Sequence, residues 1–323
     1  MLLVRLDGIG DALACAPLIE ALTDAGHELG AVLSLRNRDV FAARTFAHVH
    51  AVERIPWPRH GMTRASHDRA LGEARRAHYD VALIASEEPD AYTFARDARI
   101  KRRIGFVNGW EKPFKTLSIR PMLTHALVRP ASAALAVEHE VETLFRLGRG
   151  LHGEGAPTRD PERLRPLILD AEPQHHNRVA IQLNAKYIAQ GIDIAAFAAI
   201  ARELERHGLL TLGTSDDDEF GTAFAARSGT AFAPTATLLE WKALLGGARA
   251  IVTLDSGAAH VAGMLGIPSV VLFAPGASVE SDMMRWRPWA APSRTIVVDD
   301  VAQLPERVAA ALAELFDGAK ASA

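Results

Sequence analysis

Cysteine is nearly absent from this chain: Cys15 is the only one. A lone thiol excludes an internal disulfide and any metal site built from several cysteines, and it suits a reducing cytoplasm. Neither sign of charge dominates. The 36 Lys and Arg face 39 Asp and Glu, a formal net charge of −3, so there is no overall electrostatic case for a nucleic-acid partner. Long hydrophobic runs are missing too, since no stretch approaches the roughly 18 uncharged apolar residues of a spanning helix. The opening run Leu2–Leu6 is too short for a signal-peptide core and gives way at once to Asp7 and Gly8. These absences point to a soluble protein and leave a peripheral membrane contact open.

What is present is material for two domains. The 323 residues are about twice the usual size of one domain, and 49% of them are hydrophobic. Short apolar runs alternate with helical patterns, the signature of βαβ units and parallel sheets. Strands are expected at Leu2–Leu6, Ala31–Leu35 and Tyr79–Ala85, with a helix over about Ala12 to Ala25 closed by Gly26. From Gly148 to Asn177 glycines and prolines break the pattern. The expected division is therefore a first domain over 1–155, a linker over 156–177 and a second domain over 178–323. In the second domain, strands are expected at Arg178–Leu183, Leu209–Leu212 (ending at Gly213), Ala250–Leu254 and Ser269–Phe273. Helices are expected near Ile194–His207, Leu238–Leu245, Ala258–Leu265 and Gln303–Phe316.

Ligands of open parallel sheets bind beyond the carboxyl ends of strands, so the loops there carry the search. The strongest runs Asp255-Ser256-Gly257-Ala258-Ala259-His260, a strand, a glycine and a helix start. The exposed N–H groups and positive end of such a helix favour an anion, and Gly257 lets a phosphate come close. Ser256 adds a hydroxyl and His260 lies in the first turn, while Asp255 would repel a phosphate and suits sugar hydroxyls or N–H groups. The plainer reading is a structural turn in which Asp255 or Ser256 caps the helix and His260 packs. The second loop, Asp7-Gly8-Ile9-Gly10-Asp11-Ala12-Leu13, opens like a dinucleotide fingerprint but has Leu13 at the third glycine position. Asp11 is placed either to act as a general base or to cap the helix. Lys186, after Arg178–Leu183, could neutralise a donor phosphate, and Asp217 within the acidic run Asp216–Glu219 could take ribose hydroxyls. A basic cluster of Arg96, Arg99, Lys101, Arg102 and Arg103 suits either an anionic acceptor or an exposed helix end.

At these residues the chain resembles glycosyltransferase family 9, the ADP-heptose:lipopolysaccharide heptosyltransferases. The likeness runs through Val4–Leu13 with Pro17, Lys101–Phe106, His139 ahead of Leu144–Gly148, and Asp255–Ala262 with Gly266-Ile267-Pro268. It implies an α/β architecture of the GT-B type, two Rossmann-like domains whose parallel sheets face a central cleft. The second domain would hold an ADP-sugar donor through Asp255, Ser256, Gly257, Ala258, His260, Lys186, Gly213 and Asp217. The first would hold a glycan or glycolipid acceptor through Gly8, Gly10, Arg102 and Arg103, with Asp11 as base. The implied reaction is inverting and independent of metal or other cofactor, in the cytoplasm or at the cytoplasmic face of the inner membrane.

Two stretches depart from the family pattern. Asn184-Ala185-Lys186-Tyr187 stands where a Lys-Arg-Trp-Pro-like run is usual, and Ser86-Glu87-Glu88-Pro89-Asp90 where Asp-Leu-Gln-Gly-like residues are usual. The acceptor and the sugar are open on this reading. A nucleotide-sugar epimerase of the same fold and a non-catalytic transferase-like binding protein are the alternatives.

Overall fold

The computed structural model describes residues 1–55, 61–130 and 138–321, without the side chains of 319–321. The chain forms two compact units, one of Met1–Thr158 with Pro166–Asp170 and one of Arg159–Arg165 with Ala171–Ala323.

In the first unit the strands are β1 (Leu2–Arg5), β2 (Gly30–Ser34), β3 (His48–Val52), β4 (Val81–Ile84), β5 (Arg102–Val107) and β6 (His125–Val128). They form one sheet in the order β3-β2-β1-β4-β5-β6, and every neighbouring pair is parallel. β1, β2 and β4 are buried at every position, as strands covered on both faces must be. The expected single helix is two, Ile9–Leu13 and Ala16–Asp24, because Pro17 sits in the first turn of the second and cannot extend the first.

The second unit repeats the plan. Its strands are β7 (His176–Gln182), β8 (Thr211–Ser215), β9 (Phe232–Pro234), β10 (Ala248–Leu254), β11 (Ser269–Phe273) and β12 (Ser293–Val297). The order is β12-β11-β10-β7-β8-β9, again parallel throughout. Gly213 does not end its strand but sits inside β8, where a Cβ would come within 2.5 Å of the Phe224 ring. The amphipathic helix Ile194–Arg206 turns Phe197, Ile200, Ala201 and Leu204 into the core beside β7 and β10, with Asp193 capping it through Ala196 N–H. The last helix runs on to Ala321.

Residues 156–177 are shared between the units. Asp160 caps a short helix, Pro161–Leu164, whose Leu164 is fully buried in the second unit. Leu167 O then accepts from Ala42 N and Thr45 Oγ1, and Asp170 Oδ1 from Ala43 N, within the first. His176 already belongs to β7.

In each sheet the strand order reverses once, between β1 and β4 and between β7 and β10. At such a switch point the two loops leave in opposite directions, and a crevice opens at the carboxyl ends. The loops in question are Leu6–Gly8 and Ala85–Glu88 in the first unit, and Leu183–Asn184 and Asp255–Ser256 in the second.

Candidate active site

In the first unit Arg5 closes β1 with its side chain 3% exposed, and everything around it is organised by that buried charge. Its Nη2 lies 2.8 Å from Asp11 Oδ1, its Nε 3.3 Å from Asp7 Oδ2, and its Nη1 donates to Ala85 O across the switch point. Burial works against the guanidinium charge, but Asp7, Asp11 and Glu140 more than offset it and raise its pKa. Asp11 is the third residue of helix Ile9–Leu13, and its Oδ2 accepts from Gly8 N at 3.0 Å. The cap is thus real and occupies one oxygen, while the other rests on Arg5. The carboxylate is fixed in one orientation, a third of its surface stays exposed, and each oxygen keeps a lone pair for a further hydrogen bond. Gly8 allows this, since a Cβ there would stand 3.1 Å from Asp11 Oδ2. Gly10 is the second residue of the same helix.

Behind Arg5 lies a partner that the sequence reading missed. His139 caps helix Glu140–Phe145, accepting from Val141 N at 3.1 Å, and so aims Glu140 inward. Glu140 Oε1 is 3.9 Å from Arg5 and Oε2 is 2.8 Å from Arg129 Nη2. Burial pushes the Glu140 carboxyl up to about 7 against the pull of Arg129 and Arg5. Arg129 continues to Glu87 at 3.1 Å, and Glu87 to Lys115 at 3.0 Å. Burial alone would raise the Glu87 pKa, but Arg129 and Lys115 outweigh it and hold the carboxyl below its ordinary value. Asn37, fully buried, donates to Arg5 O and Asp7 O and secures the loop. Cys15 is buried with its thiol pushed up to about 12, which leaves it inert.

Arg102 and Arg103 do not join this group. They open β5 level with Val81 and Ala82, and Ala82 pairs with Leu2. Asp11 follows the other end of β1, so the two arginines lie at the opposite edge of the sheet. Arg103 is spent on the carbonyls of Met122 and Ile100.

In the second unit the switch point between β7 and β10 gathers the other group. Ser256 caps helix Gly257–Leu265, its Oγ accepting from Ala258 N at 3.4 Å and lying 2.9 Å from Thr253 Oγ1. Thr253 Oγ1 also lies 2.9 Å from Leu254 O. His260 lies one turn into the helix, 6% exposed, its ring edge-on to Trp286 at 5.7 Å. Lys186 Nζ crosses from the β7 loop to Asp255, 3.0 Å from Oδ2 and 2.5 Å from the backbone oxygen. Asn184 Oδ1 fixes the turn that carries it by accepting from Lys186 N at 2.7 Å. Asp217 follows β8 at the same edge of the sheet and caps helix Asp218–Ser228 through Phe220 N. Gly213, inside β8, faces Phe224 rather than the loops.

Two doubly wound units, each with a charged loop pair at its switch point, define a class of two-unit α/β proteins with crevices at the carboxyl ends of their parallel strands. Comparison with known proteins gives the family. The profile of glycosyltransferase family 9 (heptosyltransferase) matches residues 64–315, and the chain belongs to that family. Lipopolysaccharide heptosyltransferase 3 of Escherichia coli is 31% identical over 147 residues. That stretch covers 43% of this chain and 42% of the relative, so the match spans less than half of either. Among solved structures, E. coli heptosyltransferase WaaC with ADP superposes with a TM-score of 0.73 at 14% identity, covering 98% of each chain. E. coli ADP-heptose lps heptosyltransferase II gives 0.69 at 17% identity over 99% of each. A family 9 glycosyl transferase of Veillonella parvula gives 0.68 at 15%, over 95% of this chain and 88% of that one. The fold is the GT-B type expected from the sequence.

Proposed function

We propose that the chain transfers a sugar from a nucleotide diphosphate donor, ADP-heptose by likeness to its relatives, to a hydroxyl of a glycan or glycolipid acceptor. The observation that carries the reading is the joining of Lys186 to Asp255 at the start of helix Gly257–Leu265. A diphosphate at that helix start meets the Gly257 N–H group, the positive helix end and an ammonium already within reach. Lys186 then exchanges Asp255 for phosphate, which frees Asp255 to accept from donor hydroxyls. Asp11, held by Arg5 and Gly8, takes the proton of the acceptor hydroxyl as its oxygen attacks the anomeric carbon. The bond from that carbon to the diphosphate oxygen breaks, ADP carries away the electron pair, and attack from the opposite face inverts the centre. Lys186, the helix start and His260 stabilise the charge that grows on the leaving group, with no metal called on. Work of this kind belongs in the cytoplasm, at the membrane face when the acceptor is lipid-linked.

Thermal unfolding with a panel of nucleotides and nucleotide sugars tests the donor half. ADP and ADP-sugars should raise the midpoint, and the Ser256→Ala/His260→Ala double variant should lose the shift. Asp11→Asn should keep the ADP shift yet lose roughly 100-fold or more in turnover. Preference for a uridine nucleotide would refute the heptose donor, release of an altered sugar without acceptor would indicate an epimerase, and full activity of Asp11→Asn would remove Asp11 as base.

A further inference from the structure

The four most exposed large apolar side chains among the described residues come from one stretch of the first unit: Trp110 at 95%, Phe114 at 87%, Leu117 at 71% and Val128 at 62%. Phe114 and Leu117 are three apart on helix Pro113–Ile119 and share a face, while Ile119, fully buried, anchors the helix to the core. Trp110 lies in the turn Gly109–Glu111 just before it. Val128 ends β6 beside Gly109, 3.9 Å from where a Cβ of that glycine would be. Isolated apolar side chains on a surface are ordinary, but contiguous patches on a soluble protein mark contact sites.

The charge around this patch differs in sign from that of the molecule. Along 109–120, the segment that carries Trp110, Phe114 and Leu117, Lys112, Lys115 and Arg120 stand against the one acid Glu111, in a chain whose net charge is −3. Lys112 and Arg120 are exposed at either end of the helix, and Lys115 lies between Phe114 and Leu117, tied to Glu87. Aromatic and aliphatic side chains on one side with cations at the margin make a helix that lies in the interface of a bilayer. The apolar groups enter the acyl boundary and the long cationic stems reach up to headgroups.

We propose that this surface, Trp110, Phe114, Leu117 and Val128 with Lys112 and Arg120, docks the chain on an anionic phospholipid bilayer. Trp110 and Val128 lie at the carboxyl ends of β5 and β6, the edge of the sheet from which the Asp11 loop also leaves. A lipid-linked acceptor, part of the proposed function, would there present its sugar toward Asp11, although the docking itself rests on exposure and charge alone. Among the described residues no helix is long and apolar enough to cross a membrane, so the contact is peripheral.

The test is sedimentation of the full chain with vesicles of phosphatidylethanolamine and phosphatidylglycerol, and with vesicles of phosphatidylcholine alone. The chain should pellet with the anionic vesicles, less so at high salt, and remain in solution with phosphatidylcholine. Trp110→Ser/Phe114→Ser/Leu117→Ser should lower the partition coefficient roughly tenfold or more, and Lys112→Glu/Arg120→Glu should lower it and flatten its salt dependence. Both variants change exposed positions, and an unaltered ADP thermal shift separates loss of docking from loss of fold or of the donor site. The proposal is overturned if the wild-type chain stays in solution with every vesicle, or if the triple variant binds as well as wild type. It is also overturned if light scattering shows a dimer that the triple variant breaks, since a second copy then owns the patch.

Discussion

At the scale of single residues, the candidate site rests on groups far apart in sequence. Asp11 was legible because a strand, a glycine loop and a helix start surround it, and the cap reading holds: Oδ2 accepts from Gly8 N while Oδ1 meets Arg5. Glu140 was not legible. Nothing near it in sequence marks it as buried, and its partners Arg5 and Arg129 come from two other strand ends. Its titration gives a check. Burial raises its pKa from 4.5 to about 7, so the folded chain binds this proton more tightly than the unfolded chain. Its contribution is therefore full below the unfolded value and is lost as pH rises through the folded one. Glu140→Gln removes that slope, so its melting temperature relative to wild type should climb between about pH 5 and 8. A difference independent of pH would show that Glu140 does not titrate there. Removing one partner of a buried ion pair costs about 3–5 kcal/mol, so Arg5→Met should destabilise far more than Glu140→Gln.

At the scale of elements, the legible strands were those buried on both faces: β11 was read at its true ends, and β1, β2, β4, β7 and β10 within two residues at either end. The others failed for physical reasons. β3, His-Val-His-Ala-Val, is an edge strand with two histidines and exposed positions, and β5 begins with two arginines that read as a basic cluster. β8 was shifted because Gly213 looked like a stop. Its missing side chain instead makes room for the Phe224 ring, which comes from the helix packed on that strand. Gly213→Ala should cost about 1–3 kcal/mol in urea unfolding, as overpacking does. If the cost is nil, the ring moves freely and the glycine is only incidental. Gly266 is a stop of the expected kind: at φ +74° it closes helix Gly257–Leu265 in the left-handed region that glycine enters without strain.

At the scale of the whole molecule, the chain builds the same doubly wound sheet twice and gathers charged loop residues at the one point in each where the order reverses. In the second copy Lys186 and the helix start at Gly257 are the groups proposed to meet a diphosphate. Hydrogen exchange should reflect that. With ADP at about 100 times its Kd, amides of Gly257–Leu265 and the β7 loop should gain protection, in line with about 2.7 kcal/mol of added stability. Leu2–Arg5 should change less, and greater protection of β1 than of helix Gly257–Leu265 would assign the nucleotide to the first unit. The buried charges of the first unit carry a further consequence. Asp11, Arg5, Glu140, Arg129, Glu87 and Lys115 alternate in sign from the Gly8 loop to the apolar helix, and Asp7 adds a fourth acid at Arg5. Losing one member strands a neighbour of opposite sign in a poorly solvated place, whereas losing an adjacent pair leaves the net charge of the rest unchanged. Among relatives these positions are therefore free to drift only two at a time, a base leaving with the acid beside it.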